Sequence, residues 1–407
     1  MAITAISVNG TDLDLDGVVY NVAVSHGRND IQSAPQASDA RVLLRGFVEI
    51  PAEIGDVLQI EAYSEARFTG TVTDITLTHD YSYQGNYVPT LELTGTGHMA
   101  KLGYIQVGTS GYANQTLKNR VEAILTDTGL VNYSNVAPYL EQQALAAQDG
   151  GYNALTLLTD LGTQVGGTVG DFPDGTVFWE SYSSRGYGYN PSTWLDVPDE
   201  WQAVPYSWAD VYQSTDGFPV TVTLDNPSII WEPVWKNNLQ TVLNDVTVTY
   251  KANASTTSTD ADSIALYGRR ATTVATELEH SYDADDRADE IIRNQAQPHY
   301  ALQNVQILVH DLTNPKLGQV LGLLSGSRVQ VNDVPPPHPL EDYLGVVEGW
   351  TEVYTPGQHI LTLSLSDPRY SYAVAQWGQV SATLTWGTTK ESVQWYNVVL
   401  PSDLLAA

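Results

Sequence analysis

Along the first hundred residues apolar side chains recur at every second position. The stretches "VVYNVAVS" (18–25), "ARVLLRGF" (40–47), "DVLQIEAY" (56–63), "RFTGTVTDITLTH" (67–79) and "YVPTLELTGTG" (87–97) are rich in β-branched and aromatic residues. Period-two alternation of this kind belongs to half-buried strands. Turn sequences such as "VNGTD" (8–12) separate the runs. No helical period interrupts them, so residues 1–97 are predicted to form a β-barrel domain.

The period changes near His98. Leu117, Val121, Ile124 and Leu125 fall at i, i+4, i+7 and i+8, one face of a helix. Gly129 stands where the C-terminal cap of that helix belongs. A second helix is predicted after Asn153 as N-cap, with Leu155, Leu158 and Leu161 on one side and Gly166–Gly167 at its end. Two apolar runs around Pro173–Asp174–Gly175 predict a hairpin. Together these define a small α/β module over 98–215, ending in a loop rich in Trp and Tyr. Trp194, Trp201 and Trp208 in that loop are costly to expose, so they are expected at an interface, against a neighbouring chain or the module itself. Stacking on sugars is the alternative use of such rings.

Strand patterns return at "PVTVTLD" (219–225), "DVTVTYKA" (245–252) and "SIALYG" (263–268). A helix is predicted over 283–296, with Ala284, Ala288, Ile291 and Ile292 on one face. Asp283, Asp285 and Asp286 stand at its start, where the helix dipole favours acids. So short a helix is marginal alone and must dock on something. Strands from "NVQILVHD" (304–311) to "HILTLSLSD" (359–367) complete a second barrel domain, 216–370, carrying that docked helix. Residues 371–407 are an extension whose segment 382–401 reads as a hairpin.

Two segments echo each other, 55–97 and 326–368. Each runs Gly, a short alternating strand, a loop, an aromatic two residues before Gly, a long strand, a turn and alternating leucines. Phe68 and Gly70 answer Tyr343 and Gly345; Leu91 and Leu93 answer Leu361 and Leu363. The expected fold is therefore mainly β with a smaller α/β module (α+β). Its two β-barrels are related by an internal pseudo-repeat. Three such chains would give a pseudo-sixfold ring.

Composition narrows the chemistry. The 407 residues include no cysteine, which removes disulfides, thiolate nucleophiles and Cys-type zinc sites. No run of 18 apolar residues occurs, and no membrane insertion is expected. The opening residues lack the basic and apolar regions of a secretory signal. Acids outnumber bases 47 to 18, a net charge of −29. That disfavours stable binding to a nucleic-acid backbone, which depends on Lys and Arg displacing counterions. HExxH, GxSxG, P-loop and GxGxxG motifs are absent, and the histidines are scattered. "DADDRADE" (283–290) lacks the mid-loop glycine of a calcium site. Glu180, Asp196 and Glu200 have no spacing that would make them a glycosidase pair. No enzymatic activity, cofactor or metal is expected.

Several motifs, in order, carry a family resemblance. They are "VSHGRNDIQSAPQASDARVLLRGF" (24–47), "IGDVLQIEAYSEARFTGTVTDI" (54–75) and "ALTLLTDLGTQVGGTVGDFPDGTVFWESYSSR" (154–185). "LYGRR" and "DADDRADEIIRNQ" follow, then "NVQILVHDLTNPKLGQVLGLLSGSRVQV". The chain resembles the tail-hub or minor tail proteins of long-tailed phages, the late-control-type baseplate hubs. The likeness covers most of 1–370 and weakens at 185–215 and 371–407. It implies a homotrimer that caps the tail tube, with a lumen passing the tape-measure protein and then DNA. It also implies contacts with a distal tail or tail-tube ring protein, the tape-measure C-terminus and tail fibre or spike proteins. The place would be the tip of a virion tail assembled in the host cytoplasm. A hexameric distal tail adaptor ring and a carbohydrate-binding receptor-recognition protein are the alternatives. Arg269 and Arg270, adjacent in so acidic a chain, complete the candidates. On a strand they would point to opposite faces, one reaching Asp283, Asp285 or Asp286 and the other a neighbouring subunit.

Overall fold

The strand-forming alternation is realised almost segment by segment. The computed structural model describes residues 3–13, 18–46, 52–81, 87–130, 132–135, 143–149, 151–182, 222–225, 229–230, 235–251, 253–298, 300–302, 304–333 and 343–367. Trp194, Trp201, Trp208 and the expected hairpin over 382–401 lie outside the described residues.

The first region holds β1 (Ile3–Val8), β2 (Thr11–Asp12), β3 (Val19–Gly27), β4 (Asp39–Arg45), β5 (Val57–Ala62), β6 (Glu65–Tyr81) and β7 (Tyr87–Gly97). Next come α1 (Met99–Leu102), β8 (Gln106–Val107), β9 (Gln115–Thr116), α2 (Leu117–Asp127), β10 (Tyr133–Asn135), β11 (Ala144–Leu145) and β12 (Tyr152–Asn153). Helix α3 (Ala154–Val165) leads into the hairpin β13 (Gly167–Asp171) and β14 (Val177–Ser181). Then follow β15 (Val222–Leu224), β16 (Ile229–Ile230), β17 (Trp235–Asn237), β18 (Asp245–Tyr250), β19 (Ala254–Thr259), α4 (Ala261–Tyr267), β20 (Ala271–Ala275) and α5 (Ser281–Gln295). The chain returns through β21 (Tyr300–Leu302), β22 (Asn304–Leu308), α6 (Lys316–Leu321), β23 (Arg328–Val331), β24 (Tyr343–Thr355) and β25 (Gln358–Ser366).

Local chemistry sets the predicted helix ends. The Thr116 hydroxyl accepts from Asn119 N, and the Asn153 side chain accepts from Thr156 N. Both satisfy backbone donors that a helix start leaves free. Gly166 ends α3 in the left-handed region, φ 78°, where a Cβ would be strained. One segment departs from its pattern. "SIALYG" was expected as a strand but forms most of α4, because the Asp260 side chain caps it through Ser263 N at 2.8 Å.

The main sheet has thirteen strands, and its longest path is β16-β22-β25-β24-β3-β4-β7-β6-β5-β1-β2. Strand β23 joins β24, and β15 joins β23. Two sub-sheets share one order: β3-β4-β7-β6-β5-β1 and β16-β22-β25-β24-β23-β15. The outermost pair differs, being antiparallel for β1 with β5 and parallel for β15 with β23. The likeness extends to irregularities. β6 slips register against β7 between Val72 and Asp74, and β24 slips against β25 between Val347 and Gly349. At the same place Gly55 N bonds Val72 O at 2.9 Å and Gly326 N bonds Val347 O at 2.8 Å. Bulges re-aim strands at defined positions, so a shared bulge is stronger evidence of repetition than shared alternation.

Neither repeat closes into the expected barrel. The free edge of β3 is taken by the C-terminal half of β24, from Gly349 to Tyr354, so the two sub-sheets merge. Among the described strands the path is open, from β16 to β2. The two repeats have separate apolar cores, one containing Ile6, Leu44, Phe68 and Leu93, the other Ile307, Val329, Trp350 and Leu363. A third core joins Leu117, Ile124, Leu158 and Trp179 to Val246, Ala284 and Ile291. Helix α5 thus docks through its predicted face on the α/β core and against β18 and β19, not on the second sheet's core.

Candidate functional site: the seam between the sheet repeats

The seam is built by β24, whose first half pairs with β23 and whose second half crosses to β3. Two glycines let the backbones approach. A Cβ on Gly27 would lie 2.3 Å from Glu348 O, and one on Gly349 would lie 2.4 Å from His26 O. Gly27 also has φ 71°, a value that favours glycine.

Charged groups are sealed in beside these glycines. Arg28 donates from Nε and Nη2 to Glu348 Oε2 at 2.8 and 2.7 Å, and from Nη1 to Tyr182 Oη at 2.9 Å. Ser366 donates to the other Glu348 oxygen at 2.6 Å. Four residues further along β24, Glu352 is fully buried and surrounded by donors. Arg67 Nε reaches its oxygens at 3.1 and 3.2 Å, and Arg67 Nη2 also pairs with it. Trp350 Nε1 donates at 2.9 Å, His359 Nε2 lies at 3.1 Å, and the Tyr354 hydroxyl donates as well. The remaining Arg67 Nη1 bonds Leu321 O at 2.6 Å.

Protonation follows from these partners. Burial alone would raise the Glu352 carboxyl, but the Arg67 guanidinium and His359 outweigh it and hold the group well below the usual carboxylate range. Burial, then the Glu352 charge, pushes the Tyr354 phenol up. His26 stacks on Trp350 with ring centroids 4.6 Å apart. Its Nε2 lies 2.7 Å from Arg67 O, and its Nδ1 2.7 Å from Ser38 Oγ. A carbonyl only accepts, so Nε2 carries the hydrogen and Nδ1 accepts from the serine. Burial holds this imidazole neutral and pushes its pKa down to about 4.

The seam therefore fixes backbone and charge rather than presenting them to a substrate. Every Glu352 oxygen is occupied by protein donors, and the carboxylate is 0% exposed. At the Arg28 end of the seam, a cleft of about 370 Å³ lies between Arg28, Tyr182, Thr163 and α5. Its second cation, Arg287, is committed to Glu290 at 2.6 Å and to the carbonyls of Thr163 and Gln164. Among the described residues no group of three His, Asp or Glu side chains is placed to hold a metal ion. No helix among them is long and apolar enough to cross a membrane.

The sequence-derived candidates lie elsewhere. Arg269 and Arg270 stand in the link between α4 and β20, beyond Gly268, rather than after a strand. Arg269 pairs with Asp245, not with the acids of α5. Asp285 and Asp289 of that helix accept from Thr256 and Ser258 instead. Arg270 contributes backbone: its N–H donates to Asn244 Oδ1 at 2.7 Å and its carbonyl accepts from Asn244 N at 3.1 Å. The seam residues carry no local motif, since Arg67 and Glu352 are 285 positions apart. The legible signal was an acid on the inward face of an alternating strand, Glu352 between Trp350 and Tyr354.

No family model matches the chain, and no curated protein matches it in sequence. Solved structures do match. The chain is similar to the 43 kDa tail protein of prophage MuSo2 from Shewanella oneidensis, with 12% identity, a TM-score of 0.61, and 91% of this chain and 99% of that one covered. It is similar to the same degree, TM-score 0.61 and 14% identity, to the tail protein from Neisseria meningitidis MC58, over 91% of this chain and 97% of that one. The likeness runs the length of both partners. The chain has the fold of these phage-type tail proteins.

Proposed function

We propose that this chain is a structural, non-enzymatic hub at the tip of a phage-type tail. In this reading it is a homotrimer whose two sheet repeats per chain supply six similar units. The trimer caps the tail tube and lines a channel for tape-measure protein and DNA. Residues 1–97 and 216–370 carry the repeats, 98–215 the inserted module and 371–407 an extension toward neighbouring tail proteins. The observation that carries the reading is the repeated strand order with a shared bulge, in a chain with the fold of prophage tail proteins. Two like units in one chain let a threefold assembly meet a sixfold ring. A net charge of −29 suits a wall along which DNA must slide without being held. Ring neighbours, the tape-measure C-terminus and a fibre or spike would be its contacts.

Native mass spectrometry of the purified chain tests it. The expected species has three times the 44.4 kDa chain mass. A sixfold mass would favour the distal adaptor ring, and a single-chain mass at every concentration would end the ring reading. Specific capture on a glycan array by a single chain would favour receptor recognition.

A further inference from the structure

Three separate parts of the chain wall the cleft of about 370 Å³ at the Arg28 end of the seam. The turn after β3 supplies Ile31 and Pro35, α3 supplies Thr159 and Thr163, and α5 supplies Ile291 and Asn294. The turn is stiffened from within. Asp30 Oδ1 accepts from Gln32 N at 2.9 Å, from Ser33 N at 2.7 Å and from Ser33 Oγ at 2.9 Å, and such local bonds hold a turn in one conformation. The cleft is thus a formed space between fixed walls, as ligand sites commonly are.

Its charges are already matched. The charged lining residues are Arg28, Arg287 and Glu290. Arg28 pairs with Glu348 at 2.7 Å and Arg287 with Glu290 at 2.6 Å. These four groups sum to zero and single out neither an anion nor a cation. What is not matched is Asn294. It is 5% exposed, it lines the cleft, and its Oδ1 is buried without a hydrogen-bond partner among the described residues. A buried acceptor without a donor is rare in a folded protein, and here the donor can come from whatever enters the cleft.

We infer that the cleft binds an uncharged, extended peptide segment of another protein, one residue of which donates its N–H to Asn294 Oδ1. An extended residue directs its N–H and C=O to the same side. A primary amide both accepts and donates, so Asn294 suits both groups at once. Ile31, Pro35 and Ile291 give that residue's side chain apolar walls. The volume lies near the lower end of ligand sites, room for a short segment and not for a helix. A sugar also supplies donors, but sugars are held on open aromatic faces. Among the described residues the only aromatic lining the cleft is Tyr182, and the Arg28 guanidinium lies over its ring, 5.2 Å from the centroid. The occupant touches the turn after β3, α3 and α5 together, and so ties the first repeat to the α/β module. This goes beyond the hub reading and does not depend on how many chains assemble.

The probe is N-acetyl-leucine N-methylamide, one apolar residue between two peptide bonds. Saturation-transfer NMR on the purified chain is expected to show saturable binding. N-acetyl-N-methyl-leucine dimethylamide keeps the shape but has no N–H, and should bind about ten-fold or more weakly. Asn294→Leu should weaken the first probe by a similar factor. Ala34→Trp puts a bulky ring at an exposed lining position of the turn and should abolish binding without moving the melting curve. If Asn294→Leu does not fold, the two probes on the unaltered chain and Ala34→Trp still decide. Absence of saturable binding, equal binding of the two probes, or binding that survives Ala34→Trp overturns the inference. Methyl glucoside binding in place of the peptide probe, and lost in Ala34→Trp, overturns it in favour of a sugar site. None of these results bears on the assembled mass, so the hub reading stands or falls separately.

Discussion

The stretches Thr73–His79 of β6 and Glu348–Tyr354 of β24 occupy one position in two copies of the same sub-sheet, yet their fates are opposite. In β24 the inward residues Trp350, Glu352 and Tyr354 are buried, with a carboxylate, a guanidinium and two imidazoles sealed between them. In β6 the corresponding side chains are mostly exposed, and Leu77 stands where Glu352 does. Strand order and bulge are shared, so they cannot cause the difference. What differs among the described residues is whether a strand lies across the edge. Burial here is a property of the neighbour a strand receives, and charge in the β24 copy is tolerated because every lone pair on Glu352 has a donor.

The comparison breaks most visibly at its charged end. Glu352→Gln leaves Arg67 buried without its counter-ion, and removing one partner of such a pair costs about 3–5 kcal/mol. Leu77→Ala, its counterpart, removes a side chain already 45% exposed and should cost under about 1 kcal/mol in the single chain. Urea unfolding of the two variants should separate by at least about 2 kcal/mol. Equal losses would mean that the Glu352 network contributes nothing beyond packing.

How far the sequence reveals this contrast depends on which kind of order is asked for. Alternation fixed the strands, and Phe68-x-Gly70 against Tyr343-x-Gly345 exposed the repeat, because pleat and turn impose local constraints on residue type. Closure was not legible. The same alternation serves a strand that returns to its own sheet and one that, like β24, crosses to the next, so barrels were expected where an open, shared sheet exists. The seam's chemistry was legible only as the misplaced acid at 352, since Arg67 and Arg28 are brought to it by topology. The arginine doublet was conspicuous for its rarity in an acidic chain, and rarity is a weaker guide than a polar residue on an apolar face.

A smaller effect sharpens the seam through pH. His26 is held neutral with its pKa near 4, against 6.5 when unfolded. A depressed imidazole contributes stability that is complete above pH 6.5 and lost as pH falls toward 4, because only the unfolded chain takes up the proton. Between pH 7 and 4.5 the loss is about 2 kcal/mol. Asp171 and Asp283 act in the opposite sense. Burial raises both to about 6, so their contribution is present at low pH and declines as pH rises through 6. The whole-protein profile mixes these signs, and the informative quantity is a difference. His26→Gln should unfold more easily at pH 7, yet lose about 2 kcal/mol less than the parent between pH 7 and 4.5. Parallel profiles would show that the imidazole is not the group that titrates.

The smallest effect concerns Arg269. Its side chain is 70% exposed, while that of its partner Asp245 is 3% exposed. An ion pair with one arm in water is worth ~0–1 kcal/mol, screened by salt. Arg269→Ala should therefore shift the urea midpoint of the single chain only slightly, and less in high salt than in low. The guanidinium nonetheless reaches outward from the link between α4 and β20. If copies meet there, the same substitution will lower the assembled mass at fixed concentration far more than it lowers unfolding stability. Arg270 serves as the control, because its ties to Asn244 are made by backbone that alanine preserves. An assembly indifferent to Arg269→Ala confines the doublet's role to one chain.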